Sequence, residues 1–395
     1  MNEIIIKANE NDANHFSAVA KILVATNLGL ATDSWDNIPY TNASEGAQDM
    51  QPTFDSQESV YGVIMTLLNE AISQLEGADS SGFSLGSEDL IYAGNTDKWL
   101  RAAYTLKARY QLHLSKVNGV TAASDALASI ASGFTSNADD FQMEYDDKNI
   151  NPWYARQILA AATSNAHDKI GDQLVSSMNG TSYPFESGTL TEDPRLQVYA
   201  ERENGIDPWR GYVTGGLGLS SDGEPANTNF SDGGFYTNST APIVLISFAE
   251  AKFIEAEAAF LVNGGDTNST GSNTAAYDAY MLAIQANMSK LSVSDADYIV
   301  DTSINVGEGA LMLHHIMKEK YIANFLNPET YVDMRRYDFS SDVFKDLSIR
   351  EDHAEGEYPG EWFLRANYPD AEETRNPENV SANKKLPTVP VWWGN

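Results

Sequence analysis

The chain has 395 residues, with 56 Asp and Glu against 25 Lys and Arg, for a net charge of −31. Its residues are 42% apolar and 21% charged, which is enough apolar side chain to offset ordering entropy and excludes an intrinsically disordered chain. Acidity without a basic stripe excludes nucleic acid and anionic membrane surfaces as partners. The absence of cysteine excludes disulfides, a thiolate metal site and a Cys nucleophile.

Helical periodicity dominates from the N-terminus onward. No run of 18 apolar residues occurs, so no bilayer-spanning helix is expected. The opening MNEIIIKANENDANHF lacks the basic and apolar regions of a signal peptide. It reads either as a cytoplasmic start or as one lying beyond a removed targeting segment. Residues 14–32 set Phe16, Val19, Leu23 and Leu30 at helical steps. After Thr53, Asp55 and Glu58 resemble a capping box, and Val60, Ile64, Leu67, Ala71 and Leu75 share one face up to Gly77. A third helix is expected from Asp97 through Val117 along Trp99, Ala103, Leu106, Tyr110 and Leu114, and a short Ala-rich one over 121–132.

The middle changes character. Residues 151–178 open on Asn-Pro-Trp-Tyr and predict an Ala-rich helix ending at Asn179-Gly180. From 180 to 241, Gly, Asn, Ser, Asp and Pro concentrate around scattered aromatics and predict irregular loops of functional length. Helices are expected again over 245–262, 274–291 and 308–326, and loops after Arg336. Paired amphipathic helices predict side-by-side hairpins of tetratricopeptide type, although no clean 34-residue repeat is present.

Enzyme motifs are missing. There is no Gly-x-Ser-x-Gly elbow and no phosphate-loop Gly-Lys. Gly216-Leu217-Gly218 is half a dinucleotide fingerprint and reads as a flexible loop. His314 and His315 are adjacent, so helical spacing predicts that they diverge rather than share a metal. His15, His113, His167 and His353 are scattered singly and read as core-edge or surface residues. Asp266-x-Asn268-x-Thr270-Gly271 copies the first half of a calcium loop, but Tyr277 stands where the bidentate Glu belongs. Asp222, Glu224 and Asp232 share a polar loop and predict at most weak cation binding. No cofactor or metal is expected. With so many acids, any glycosidase-like pair can be nominated, so the count carries no catalytic information.

Aromatics are more informative. Trp99 lies on a helix stripe and predicts core packing. Trp153, Tyr154, Trp209, Tyr212 and Tyr236 lie in or beside polar loops, where an aromatic either anchors the loop or offers a flat face to a ligand. Anchoring is the commoner fate of any one of them. Several together with Asp207, Arg210 and Asn229 suit carbohydrate, with rings for stacking and planar polar groups for hydroxyls.

Four stretches, in order, carry a family resemblance. They are Thr32-Asp33-Ser34-Trp35-Asp36-Asn37-Ile38-Pro39-Tyr40 and Asp89-Leu90-Ile91-Tyr92-Ala93-Gly94-Asn95 leading to Lys98-Trp99. Ser247-Phe248-Ala249-Glu250-Ala251 through Ala258 follows, and then Lys318-Glu319-Lys320-Tyr321 with Asp333-Met334-Arg335-Arg336. The ending Arg365-Ala366-Asn367-Tyr368-Pro369, Asn376, Glu378-Asn379-Val380 and Pro390-Val391-Trp392-Trp393 adds to them. Together they resemble the SusD/RagB family of outer-membrane nutrient-binding lipoproteins, from about residue 14 to 393. The chain departs from the family pattern at Asn37, where Gly is usual, at Tyr331, where Trp is usual, and at Tyr337-Asp338, where Thr-Gly is common. Read from the residues alone, the signatures are scaffold: Asp33 bonding backbone amides at a helix exit, and Glu250, Glu255, Arg335 and Arg336 pairing as structural charges.

The resemblance implies a mainly α fold, with tetratricopeptide-like hairpins forming a superhelical scaffold, long irregular loops and little strand. It implies a single domain over 1–395, with scaffold at about 14–132, 151–178 and 245–326. The loop-rich face falls at about 33–54, 77–96, 180–241 and 337–395. It also implies a non-enzymatic, outward-facing lipoprotein whose signal peptide and lipidated Cys lie outside this sequence. Such a protein binds an oligosaccharide or polysaccharide and delivers it to a TonB-dependent SusC-like transporter. The alternatives are a member that binds peptide or another nutrient, a glycoside hydrolase, and a helical scaffold for proteins only.

Overall fold

The computed structural model describes all residues except 44–45, 47–48, 164–167, 215–217 and 350–356. Gly216, Leu217, His167 and His353 lie outside the described residues. Contacts divide the chain into two compact units, one of residues 1–134 with 362–395 and one of residues 135–361.

The first unit is built on α1 (Asn2–Glu10), α2 (Asn14–Trp35), α3 (Gln57–Glu76), α4 (Thr96–His113), α5 (Ser115–Asn118) and α6 (Val120–Ile130). α2 packs on α3, α3 on α4, and α4 on α6, in the expected succession of hairpins. The start of α3 differs from its sequence reading. Ser56 is the N-cap and accepts from the Ser59 amide at 3.2 Å. Asp55 instead turns back to accept from the Tyr40 and Thr41 amides at 3.0 and 2.8 Å. That closes the short antiparallel ladder of β1 (Ile38–Pro39) and β2 (Phe54–Asp55).

The Asp89 motif is a turn organised by one carboxylate. Asp89 accepts from the amides of Ile91, Tyr92 and Gly94 and from the Trp99 indole at 2.7 Å. Gly94 has φ +85°, and a Cβ there would stand 2.4 Å from the Leu85 carbonyl, so the turn needs glycine. Trp99, 1% exposed, is core as expected. Asp33 ties the helix exit to distant parts of the same unit. Its carboxylate accepts from two long-range side chains, the Tyr61 hydroxyl at 2.6 Å and the Trp393 indole at 2.7 Å. Its neighbour Asp36 binds the C-terminal segment through the Trp392 amide and Arg365. α14 (Asp370–Arg375) and α15 (Pro377–Asn383) complete this unit.

The second unit holds β3 (Phe141–Met143), α7 (Asp172–Met178), α8 (Leu196–Tyr199), β4 (Ala200–Arg202), β5 (Thr228–Phe230) and β6 (Ile243–Ile246). Helices α9 (Phe248–Val262), α10 (Thr274–Lys290), α11 (Ala296–Val300), α12 (Leu313–Ala323) and α13 (Glu329–Arg336) follow. β3 pairs with β6 and β4 with β5, both antiparallel. α9 and α10 form a hairpin against which α12 packs. α9 and α10 begin at side-chain caps, Ser247 and Asn273.

The helix expected over 151–178 is interrupted. A π-helical turn runs over Tyr154–Leu159, and among the described residues the next α-helix is α7. The Ala-rich composition supplies helix propensity but no apolar stripe long enough to bury one continuous helix.

Family-motif charges build the core of this unit. Arg195, wholly buried, donates to Asp193, Glu319, Asn287 and Tyr298 at 2.6–3.0 Å. Lys320 and Arg336 share Glu257 and Asp333 at 2.6–3.3 Å. Burial pushes the carboxyls of Glu257 and Glu319 up. The adjacent cations, Arg336 with Lys320 and Lys318 with Arg195, outweigh it and hold both down to about 2. Glu255 takes Lys252 at 2.6 Å. His314 and His315 do not splay. Their ring centroids lie 4.0 Å apart because the His315 imidazole folds back to accept from the Met312 amide at 3.0 Å.

Candidate functional site

Side chains around a cleft of about 420 Å³ in the second unit carry the arrangement best suited to a ligand. Asn151 fixes one wall. Its side chain accepts from the Tyr154 amide at 2.9 Å and donates to the Ala241 carbonyl at 2.8 Å. With Pro152 at the helix start, this sets the half-buried Trp153 at the cleft. The ring of Trp153 lies nearly parallel to that of Phe230 on β5, at 6.5 Å and 18°.

The opposite wall is the exit from α12, Asn324 to Pro328. Phe325 stacks on Tyr199 at 4.5 Å and 12°. Leu326 adopts φ +61°, a left-handed conformation that costs on the order of 1 kcal/mol for a non-glycine residue and is found at ligand clamps. Asn324 is only 3% exposed, and its amide nitrogen has no hydrogen-bond partner. A buried donor left unmatched costs roughly 1–3 kcal/mol. Burial pushes the Tyr321 phenol up to about 12, so this wall carries a neutral hydroxyl at pH 7. At the rim, Lys169 donates to Asn229 Oδ1 at 3.2 Å and sits 5.2 Å over the Tyr212 ring.

The sequence candidates therefore fall into separate places. Trp153 lines the cleft, and Asn229 and Tyr212 join it through Lys169. Trp209, 7% exposed, packs into a core cluster with Tyr199, Leu196 and Tyr236. Its indole donates to Glu192, and Arg202 lies 4.8 Å over its ring. Tyr236, also 7% exposed, packs edge-on to Phe325 at 5.5 Å. Asp207 pairs with Arg202 and Arg210 with Asp222, beside a second, polar hollow of about 290 Å³. Tyr154 is half-buried in the π-turn.

Phe230, Asn324, Phe325 and Lys169 were not singled out from sequence. Helical spacing marks Phe325 as core, and nothing local marks Asn324 beyond its place before a Pro-terminated helix exit. The half calcium loop closes on itself: Asp266 accepts from the Asn268 and Ser269 amides at 2.7 and 2.8 Å. Asp222 likewise accepts from the Glu224 amide at 3.0 Å.

A groove of about 810 Å³ in the first unit is larger and is lined by Trp35, Tyr40, Phe54 and Tyr368 among others. Two of its polar tips are already used, the Trp35 indole on the Asn367 carbonyl at 2.9 Å and the Tyr368 hydroxyl on the Asn37 carbonyl at 2.7 Å.

Residues 1–369 match a SusD-like family model described as starch-binding and associating with the outer membrane. The chain belongs to the SusD-like family. Among solved structures, this SusD-like protein is similar to a SusD/RagB family protein from Bacteroides thetaiotaomicron VPI-5482. The two are 24% identical with a TM-score of 0.71, over 97% of this chain and 81% of that one. It is also similar to a chitin-binding SusD homolog from Flavobacterium johnsoniae, at 22% identity and TM-score 0.74, over 98% and 83% of the two chains. A chitin-binding protein gives 22% identity and TM-score 0.75, over 99% and 84%. At these identities the likeness establishes the fold, the mainly helical SusD-like scaffold with little strand. No curated protein sequence matches the chain. Among the described residues, no helix is long and apolar enough to cross a membrane.

Proposed function

We propose that this SusD-like protein binds an oligosaccharide or polysaccharide at the outer membrane without cleaving it, and hands it to a SusC-like TonB-dependent transporter. The observation that carries the reading is the aromatic wall of Trp153 and Phe230, 6.5 Å apart and nearly parallel, beside the Lys169–Asn229 pair at the cleft rim. Aromatic faces take the apolar faces of sugar rings, and amide and ammonium groups take hydroxyls. The family description as starch-binding and outer-membrane-associated supports the same ligand class, as do the printed names of two structural neighbours as chitin-binding. Trp209 and Tyr236 hold the site from behind, and Asp207 and Arg210 flank it at the polar hollow.

An open cleft of this size gives modest single-site affinity, roughly −8 to −4 kcal/mol, or micromolar to millimolar. The test is affinity electrophoresis through gels containing plant, fungal, algal and host polysaccharides, with reducing sugar assayed alongside. Retardation by a polysaccharide that stays intact is the expected result. Released sugar would make the protein a hydrolase. Retention on a basic-peptide column with no retardation in any gel would move the ligand to cationic peptide, which the charge of −31 favours.

A further inference from the structure

The polar groups of the aromatic cleft are unevenly used. Asn229 Oδ1 accepts from Lys169 at 3.2 Å. Asn327 Oδ1 accepts from the Glu329 amide at 3.0 Å, and its Nδ2 donates to the Leu245 carbonyl at 3.3 Å. The Thr330 hydroxyl donates to the Asn327 carbonyl at 3.0 Å. Two groups on the same wall have no partner in the protein, the Tyr321 hydroxyl and Asn324 Oδ1. Asn324 Nδ2 is closed off inside the wall, so the oxygen is the end of that amide left to the cleft. The residue is 3% exposed and held at the end of α12. Its backbone amide donates to the Lys320 carbonyl at 2.9 Å, and its carbonyl accepts from the Asn327 amide at 3.0 Å.

Tyr321 sits in the last turn of α12 and Asn324 three residues on, at its C-cap. The two are therefore neighbours on one helix face, with Cβ atoms roughly 5–6 Å apart. An amide oxygen only accepts, whereas a phenol hydroxyl both donates and accepts. A ligand that meets both must bring a donor, which a free sugar hydroxyl does and an ether, ester or sulfate oxygen does not. A cation brings donors too, but none of the described residues lining the cleft is Asp or Glu, in a chain where 56 of 395 residues are acidic. Without a carboxylate, an ammonium or guanidinium group would lose its hydration uncompensated, and Lys169 at the rim would repel it. The chemistry left is a neutral donor beside an aromatic wall.

We propose that Tyr321 and Asn324 are the hydroxyl-reading pair of the cleft. Asn324 Oδ1 accepts from one hydroxyl of a neutral sugar lying at the Trp153–Phe230 wall, and the Tyr321 hydroxyl exchanges a hydrogen bond with another. The bound glycan is accordingly one whose hydroxyls at this edge carry no substituent. The inference rests on the glycan-binding reading above and names two specificity-determining residues of that site.

The test is affinity electrophoresis of the unaltered protein, Tyr321→Phe and Asn324→Leu in gels of amylopectin, laminarin, galactomannan, xyloglucan and glycol chitin, each run beside its O-methylated form. Melting temperatures are measured alongside. Each substitution should weaken binding to the retarding polymer roughly fivefold, the worth of one hydrogen bond. Neither should lower the melting temperature, because neither group bonds to the protein. O-methylation should weaken binding to the unaltered protein at least as much, and that preference should shrink in both variants. If Asn324→Leu does not fold, Tyr321→Phe decides by itself. Undiminished binding in the variants, or equal retardation by the O-methylated polymer, overturns the inference. So does weakening that comes only with a matching fall in melting temperature, which would make the pair structural. If binding that survives both substitutions is lost on Trp153→Ala, the glycan-binding reading stands without it. No retardation of the unaltered protein in any gel overturns both.

Discussion

Trp153 and Trp209 have the same chemistry and opposite circumstances. Trp153 is half-buried at a cleft, while Trp209 is 7% exposed with its indole engaged by Glu192. Trp153→Ala is expected to abolish detectable gel retardation by the bound glycan while shifting the melting temperature little. Trp209→Ala is expected to cost about 3–5 kcal/mol of folding stability, as large-to-small core changes do. Glycan titration and urea melts on both variants check the pair, and the opposite assignment would move the site to the polar hollow. Arg195→Leu leaves Asp193 and Glu319 without their shared cation in a fully buried position. The expected loss is about 3–5 kcal/mol, and a urea midpoint shift worth less than 1 kcal/mol would show that Lys318 and water compensate.

At the scale of the element, the α12 start is a pH-sensitive joint. Burial, then the nearby charge of Lys345, lowers the imidazole of His314 to about 4. Burial, His314 and Lys345 together lower that of His315 to about 3. Both groups are more acidic folded than unfolded, so the unfolded chain binds more protons and stability rises with pH. Their contribution is complete above the unfolded value of about 6.5 and is lost as pH falls through the folded values. Glu257 and Glu319, held down to about 2, add a second loss that begins below about 4.5. The melting temperature should therefore fall continuously from pH 7 to 3. His315→Gln, which keeps a capping side chain at the same helix position, should flatten the decline between pH 6.5 and 4. A profile unchanged by that substitution would remove His315 from the joint. The interruption at Tyr154–Leu159 belongs to this scale too. Asn151→Ala removes the cap that sets Trp153 and should weaken glycan binding about tenfold at a stability cost of about 1–2 kcal/mol. Binding left intact would mean that the Phe230 contact alone positions the indole.

For the whole molecule, ligand binding and stability are linked. A ligand that binds only the folded chain adds about 2.7 kcal/mol of stability at a concentration one hundred times its Kd. A rise in melting temperature on adding the glycan found by electrophoresis is expected, smaller in Trp153→Ala at equal ligand. No rise at saturating ligand would mean that gel retardation reflects non-specific association. For a neutral glycan this linkage is insensitive to salt, because no counterions are displaced. A cationic peptide would instead lose affinity steeply as salt rises, so one salt series separates the two ligand classes.

Much of this was legible in the chain itself. The apolar spacing along α3, α4 and α9 and the motif stretches depend on residues near one another in sequence. Local sterics and helical periodicity therefore determine them. The cleft depends on contacts distant in sequence. Trp153 meets Phe230 from 77 residues away, and Tyr199 meets Phe325 from 126. No local signal told Trp153, left half-exposed, from Trp209, drawn into the core, because both sit in polar loops beside Pro. The same holds for Arg195, whose carboxylate partner Glu319 lies 124 residues away. Which aromatic faces a ligand and which amide is left without a partner is decided by the close packing of α12 against α7 and α9. That packing fills some sites and cannot fill others, and only the tertiary structure determines which.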